Sequence, residues 1–412
     1  MLRHVRQRNT RGYKIARDQF VRLGNLVKRC HVCGSLQILE LANSELLKRV
    51  SSDCQPMFIA TLLLSCLDCG ALVTDTTPEW HRACAEVYTE YEVYGQSGGV
   101  EEKTFSIEGD PTPRSRVLTS LMAASGLPLE GAWVDFGCGN GSFLRQVLGR
   151  FPGVVGYGVE YDGRHRDAVL MIPGARGFGA SIDELDLENF QTISMIHVLE
   201  HIENPLPLLE TIKSRLAPGG SLLIQVPHIW TNPYVVTVGD HATHFDLPSL
   251  KRLLHEANFD ITWAEEDFIA GELTLLARRP IFSRTELKRE DMGKELIKTD
   301  NSLRHWDLVT SLGAVSNWLT WQRETNKVLG VFGTSIAGNW AGSCIGFTQD
   351  YWVDEDPSKL GRFWRGREII SPSQVGSDDR VVVPLAPIKA DKVVKRLRSG
   401  GKPINVFIPP YR

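Results

Sequence analysis

What the sequence lacks narrows it first. Its apolar runs are short. The longest, Met57 to Leu67, is interrupted by Thr61 and Ser65 and falls well below the roughly 20 residues a helix needs to cross a bilayer. No membrane span is expected. Neither sign of charge is in excess: 46 Lys and Arg against 49 Asp and Glu leave a formal net charge of −3. A charge so close to zero gives no strong attraction to nucleic acid. There is no repeat at solenoid periods and no low-complexity tract. No apolar stretch of signal-peptide type follows the basic start of the chain, so a secretory leader is not expected. That points to a reducing, cytoplasmic setting, in which the 8 cysteines are not expected to form disulfides.

What is present is ordinary in bulk. The chain has 412 residues, 42% hydrophobic and 23% charged, enough for two or three domains at about 150 residues each and for more than one core. The start is locally basic, with Arg3, Arg6, Arg8, Arg11, Lys14, Arg17, Arg22, Lys28 and Arg29 against Asp18 alone. Asp18 to Arg29 has helical spacing and reads as a solvated basic helix. A docking surface for an anionic substrate and a mitochondrial presequence are the alternatives.

Three segments can be traced, 1–110, 111–283 and 284–412. The cluster Asp110-Pro111-Thr112-Pro113 marks the first boundary. The charged stretch Arg284 to Lys298 marks the second. In the middle segment, strand patterns at Trp133–Phe136, Val154–Glu160, Ile193–Val198 and Ser221–Val226 alternate with helical ones at Ser142–Arg150 and Leu206–Leu216. Strands alternating with helices imply an α/β domain built on a parallel sheet. The last segment has a long helical pattern over Asp300–Asn326, then a strand, a Gly turn and a helix starting at Val328.

The first segment carries two C-x-x-C-G knuckles, Cys30-His31-Val32-Cys33-Gly34 and Cys66-Leu67-Asp68-Cys69-Gly70. Each knuckle turns two thiolates to one side, and two knuckles make a closed tetrahedral set. Cys30, Cys33, Cys66 and Cys69 are therefore expected to hold one structural zinc. His31 reads as a bystander, and Cys54 and Cys84 as ordinary buried residues.

In the middle segment a strand runs into Asp135-Phe136-Gly137-Cys138-Gly139-Asn140-Gly141-Ser142, which opens a helix. Glycines there let backbone N–H groups approach a ligand at the helix start. The next strand ends at Glu160, whose carboxylate can accept both hydroxyls of a ribose. No glycine occurs at 142–144, which disfavours the dinucleotide turn of dehydrogenases. The D-x-G-C-G-x-G turn with Glu160 resembles the class I S-adenosylmethionine (SAM) methyltransferases. So do Ile196-His197-Val198-Leu199-Glu200-His201-Ile202, similar to their fourth-strand segment, and Ala217-Pro218-Gly219-Gly220, similar to the turn before their fifth strand. This resemblance implies a Rossmann-like sheet with SAM against Asp135, Gly137, Gly139, Gly141 and His197. It puts the ribose on Glu160 and the adenine near Ser181, Ile182 and Asp183.

Taken together, the three segments resemble the sugar C-methyltransferase family, with an N-terminal four-cysteine zinc domain, a central SAM domain and a C-terminal Rossmann-like domain. Gly333-Thr334-Ser335-Ile336-Ala337-Gly338-Asn339 and Asp354-Glu355-Asp356-Pro357-Ser358-Lys359-Leu360-Gly361 resemble two of its C-terminal motifs, with Ala337 where the family commonly has Lys. The resemblance implies that Gly333, Ser335, Gly338 and Asn339 help hold the acceptor. Asp240-His241 falls on the Glu-His of the family's base segment, with Val238 and His244 in place of its two tyrosines. The expected catalytic set is His241 as base, with Asp240, His197 and His244 around it. His201 and His228 read as packing or capping residues.

The expected function is methyl transfer to a carbon or oxygen of a small acceptor, a nucleotide-linked sugar, by a chain compatible with a monomer. No nucleic-acid or membrane partner is expected. Two other readings are an RNA base methyltransferase gripping RNA through its four-cysteine module, and a non-catalytic SAM-binding scaffold. Asn232-Pro233-Tyr234 resembles the N-P-P-Y of amino-group methyltransferases, but it lacks a proline and follows the fifth strand.

Overall fold

The computed structural model describes residues 28–105, 111–123, 125–266, 268–281, 301–399 and 404–409. The expected basic helix, apart from Lys28 and Arg29, and the charged stretch Arg284 to Lys298 lie outside the described residues.

The middle segment folds around a seven-stranded sheet. Its strands, in chain order, are Gly131–Phe136, Val154–Val159, Ala175–Gly179, Phe190–Ile196, Leu216–Pro227, Asp260–Glu266 and Glu272–Arg278. Their order across the sheet is 3-2-1-4-5-7-6. The first five are parallel, and Glu272–Arg278 runs antiparallel between the fifth and sixth. The fifth and seventh strands, at Leu222–Val226 and Leu273–Ala277, are buried throughout and rich in Val, Ile and Leu, whereas the edge strand Asp260–Glu266 is partly exposed. The turn after the first strand and the loop after the fourth thus lie side by side at the carboxyl edge.

The helices Ser142–Arg150 and Pro205–Arg215 agree closely with the sequence pattern, and a further one runs over Leu247–Glu256. The last starts in a capping box, with the Asp246 carboxylate accepting from Ser249 N–H. That satisfies an otherwise orphaned donor.

The N-terminal segment is not a detached module. Its four-stranded sheet runs Ile38–Leu41, Leu63–Cys66, Leu72–Thr74, Thr243–His244, so its last strand comes from the middle segment. Thr243 pairs with Val73 and His244 with Leu72. The proline cluster at the expected boundary also proves to be structured: Pro111–Pro113 pairs antiparallel with Lys103–Phe105.

The C-terminal segment has the long helix Ser302–Thr325 and a six-stranded sheet. The strand Leu329–Phe332 lies inside that sheet, and Ile336–Cys344 follows as a helix. One apolar core joins all three segments. It contains Leu41, Leu63 and Leu72 from the first, Ile229, Tyr234 and Val236 from the second, and Leu312, Leu319 and Trp340 from the third. Trp340 is fully buried, donates its indole N–H to Lys48 O at 3.0 Å and lies 5.4 Å from the Tyr234 ring.

Because this tryptophan fills a joint between segments, Trp340→Ala should lower the unfolding free energy by about 3–5 kcal/mol. Trp321→Ala, at a site 52% exposed, should change it by less than about 0.5 kcal/mol. Denaturant midpoints of the two variants measure both.

Candidate functional site

The four knuckle cysteines converge. One sulfur from each lies within 4.8 Å of the others, with Cys30 to Cys69 at 3.5 Å and Cys33 to Cys66 at 3.7 Å. Tetrahedral ligands at about 2.3 Å from a zinc would stand about 3.8 Å apart, whereas a disulfide would bring sulfurs to about 2.05 Å. The two turns have the same form. Gly34 N–H donates to Cys30 O at 2.9 Å and Gly70 N–H to Cys66 O at 3.0 Å. Both glycines are left-handed, with φ of 71° and 73°. The donor set and spacing are compatible with a closed four-thiolate metal site.

At the carboxyl edge of the central sheet, Gly137, Gly139 and Gly141 all have left-handed φ, which side chains rarely adopt. They differ in what surrounds them. A Cβ on Gly137 would meet Val198 at 2.3 Å and one on Gly141 would meet Ile172 at 2.8 Å. One on Gly139 would meet nothing nearer than Val93 at 3.6 Å. The first and third glycines are thus fixed by packing, while the middle one leaves a face open. Its N–H donates to the Glu160 carboxylate at 2.8 Å, tying the turn to the end of the second strand.

Asp135, just before the turn, is 2% exposed and accepts from Ser194 Oγ at 2.8 Å. Burial pushes its carboxyl up to about 7, reinforced by the nearby Glu160 and partly offset by the Ser194 hydrogen bond. Of the three residues expected near an adenine, Ser181 and Asp183 are exposed. Ile182 is not available, since its side chain packs in the central core. Tyr161, beside Glu160, is 86% exposed; sequence reasoning passes over this aromatic.

The loop after the fifth strand carries the histidines, and the N-terminal segment holds it from several sides. Buried Arg49 donates to Val236 O at 2.6 Å, and also to Ser44 O and Thr61 O. Gly239 N–H donates to Val50 O at 2.8 Å, and Trp80 Nε1 donates to Gly239 O at 2.7 Å. The Thr74 hydroxyl donates to His241 O at 2.6 Å. Ala242 N–H reaches Glu200 O at 2.8 Å, bringing the loop against the fourth strand's end.

The resulting pocket is assembled differently from the expectation. Asp240 accepts from Ser52 N–H at 2.8 Å and Ser52 Oγ at 2.6 Å, and its second carboxylate oxygen lies 3.4 Å from His201 Nδ1. The Asp240 carboxylate therefore pairs with His201, which the sequence alone presents as mere packing, while the rings of His201 and His241 meet edge-on at 4.8 Å. Burial works against the charge on His201, but Asp240 and Glu200 prevail and raise it to about 9. Asp240 is held down at about 2 despite its burial, chiefly by His201. Burial and the His201 charge push His241 down to about 3, so it lacks the near-neutral ionisation its residue type suggests. Neither of its ring nitrogens has a hydrogen-bond partner among the described residues.

His197 ends the fourth strand with a left-handed φ of 56°. Its ring lies between Glu200, 3.1 Å from Nδ1, and Glu272, 3.2 Å from Nε2, with Arg114 2.9 Å from Glu272. Burial holds this imidazole well below its usual range, and its Nε2, though close to Glu272, has no hydrogen-bond partner among the described residues. His244 is held locally through one nitrogen only, its buried Nδ1 having no hydrogen-bond partner among the described residues. It is 2% exposed, and its Nε2 lies 3.2 Å from Thr74 Oγ1.

Tyr88 is a further residue that sequence reasoning misses. Its hydroxyl lies 3.2 Å from His201 Nδ1. The only signal for it is the Tyr- and Gly-rich composition of the stretch Tyr88 to Gly99. That stretch also lies over the Gly turn, where Asn140 Nδ2 donates to Gly99 O at 3.1 Å.

The second Gly turn corrects an expectation. Asn339 is fully buried, donates to Thr334 O and Ser335 O, and accepts from Trp364 Nε1 at 2.7 Å. A Cβ on Gly338 would fall 1.8 Å from Gly333 O. Gly338 and Asn339 thus close the turn on itself and offer nothing to a ligand. Gly333, with φ 83° and open space beside it, and half-buried Ser335 keep a free face.

Residues 113–263 match the family profile described as a methyltransferase domain. No curated protein matches the sequence. Among solved structures, a SAM-dependent methyltransferase from Mesorhizobium loti is 19% identical, over 42% of this chain and 100% of its own, with a TM-score of 0.33. The CurJ carbon methyltransferase is 13% identical, over 40% of this chain and 54% of its own, also with a TM-score of 0.33. The middle of this chain, residues 113–263, thus matches a methyltransferase domain and is built on a Rossmann-like sheet.

Proposed function

We propose that the protein transfers a methyl group from SAM to a carbon or oxygen of a sugar, most simply a nucleotide-linked one. The observation that carries this reading is the juxtaposition at one sheet edge of the open Gly139 face and the His201–His241 pocket, where Asp240 and Tyr88 also converge. When bound, SAM would supply an electrophilic methyl on a sulfonium, open to in-line attack by the acceptor, with the breaking S–methyl bond leaving its electron pair on S-adenosylhomocysteine. Glu160 accepts the ribose hydroxyls, and Gly139 gives the ligand access to the backbone. His241 is neutral throughout the working range and keeps an uncommitted lone pair; being a weak base in the free protein, it takes the acceptor's proton only as the new bond to the methyl forms and not before it. Asp240 and His201 position it, the former through the ion pair and the latter through the ring contact. Gly333 and Ser335 line the acceptor's far side. The sugar assignment rests on the resemblance of the flanking segments, and the net charge of −3 weighs against an RNA acceptor. The four knuckle cysteines, loaded with zinc, stabilise the segment that clamps the histidine loop.

A turnover screen against a panel of nucleotide sugars, with RNA as control, tests the substrate class; methylation of RNA alone would overturn it. In that assay His241→Asn should lose about 10²–10⁴-fold in rate and keep its affinity for S-adenosylhomocysteine. Full turnover in this variant would remove His241 as the base.

Calorimetry with S-adenosylhomocysteine should show at least about tenfold weaker binding for Glu160→Ala, roughly 1.4 kcal/mol. Asp135 generates a prediction with a sign. Its folded pKa of about 7 stands above an unfolded value near 3.9, so the native state holds the extra proton and stability falls as pH rises between the two. Asp135→Asn should therefore match the parent near pH 3.5 and become the more stable protein by about 3–5 kcal/mol above pH 7. Chemical denaturation at several pH values measures the difference. A buried carboxylate so costly is useful where a cationic ligand docks, so the same variant should bind SAM less tightly.

A further inference from the structure

The histidine pocket holds more ligating groups than proton transfer needs. One carboxylate oxygen of Glu200, one ring nitrogen of His201 and one of His241 lie within 4.8 Å of one another. Glu200 and His241 are 1% and 5% exposed. One oxygen of Glu200 lies 3.1 Å from His197, but the other, Oε2, is buried with no hydrogen-bond partner among the described residues. A carboxylate oxygen taken from water and left bare costs free energy unless something cationic meets it. His241 brings a ring nitrogen with no hydrogen-bond partner among the described residues to the same place. His201 carries the Asp240 carboxylate 3.4 Å from its Nδ1. An ion at the other ring nitrogen would displace the proton that the metal-free imidazolium carries there, leaving Asp240 as the outer-sphere carboxylate that orients the metal-bound imidazole.

From this we infer that Glu200, His201 and His241 form a second metal site, separate from the four cysteines, for one divalent transition-metal ion. Two imidazoles and a carboxylate suit zinc, cobalt or iron, whereas magnesium and calcium prefer all-oxygen shells. Three protein ligands leave a position open on the ion, as in catalytic rather than structural sites. The site assignment stands on this geometry alone. Its consequence for activity rests on the proposed function. The His241 lone pair can meet the ion or the acceptor's proton but not both, so loading the site switches off His241 as a base.

The test is a metal count on the full-length protein. After equilibration with zinc and removal of loosely held ion, elemental analysis should find about two zinc per chain, one at the cysteines and one at the pocket. His241→Ala and Glu200→Gln should each retain about one. That remaining zinc, with an unchanged circular dichroism spectrum, shows that the variant is folded. Cobalt gives a reading on the unaltered chain. The first equivalent should bring the intense sulfur-to-metal charge-transfer band of thiolate ligation, and the second only the weaker visible bands of nitrogen and oxygen ligation. An unaltered chain that stops at one equivalent overturns the inference. So does a second equivalent that persists in both variants. Turnover should vanish as the second equivalent binds and return when it is chelated away. Full turnover with two metals bound would confirm the site and instead refute His241 as the base.

Discussion

The loop from Tyr234 to His244 is the part on which the arrangement depends, and the residues that hold it belong mostly to another segment. Arg49, Val50, Ser52, Thr74 and Trp80 bind its backbone or its Asp240 side chain, and Met57 would lie 2.4 Å from any Cβ on Gly239. Much of the loop's backbone is thereby paired inside the protein, as burial requires, whereas the His241 ring nitrogens and His244 Nδ1 are left without hydrogen-bond partners among the described residues. A loop so enclosed keeps its shape without the ligand. Pre-organisation of this kind is what makes charged and dipolar groups effective in a site from which water is excluded.

That enclosure has an electrostatic cost. Asp135 and Glu200 are raised to about 7 by burial, while His197 and His244 are held well below their usual range. Buried acids lean towards protonation and buried histidines towards neutrality, each to escape desolvation. Within this cluster the His201–Asp240 pair keeps both charges, because each supplies what the other has lost from water. A cluster of this kind contributes little to stability compared with well-packed apolar residues. Its density around the carboxyl edge is better understood as readiness for a ligand that brings charge of its own.

How much of this can be read from the sequence depends on distance along the chain. The knuckles Cys30-x-x-Cys33 and Cys66-x-x-Cys69 and the turn from Asp135 to Ser142 are local patterns, and they fold as their spacing implies. The helix Ser142–Arg150 even begins and ends at the expected residues. The histidine pocket is legible only in part. A motif identifies His241 and Asp240, but it cannot say that Asp240 turns to His201. Nor can it place Ser52 and Tyr88, 188 residues and 113 residues away from their partners, at the same spot. Asn339 misleads for the opposite reason. It belongs to a recognisable motif, yet its amide is used up by Thr334, Ser335 and Trp364, and only the folded turn reveals that. The proline cluster at 111–113 reads as a break because proline cannot donate to a ladder. It nevertheless forms an edge strand, where proline is tolerated.

The two-residue ladder between Thr243–His244 and Leu72–Val73 has a consequence for how such a chain diversifies. The segment matched by the methyltransferase profile, 113–263, contains the cofactor turn and the histidines but not the strand against which the histidines are hung. On the function proposed above, the acceptor would be recognised partly through side chains that lie outside the matched segment. Recombination that exchanged the catalytic unit between relatives would carry the general chemistry across and leave the selectivity behind. Inheritance of a new substrate would instead have to pass through the cysteine-bearing flank, by small changes in residues that never touch the transferred methyl group.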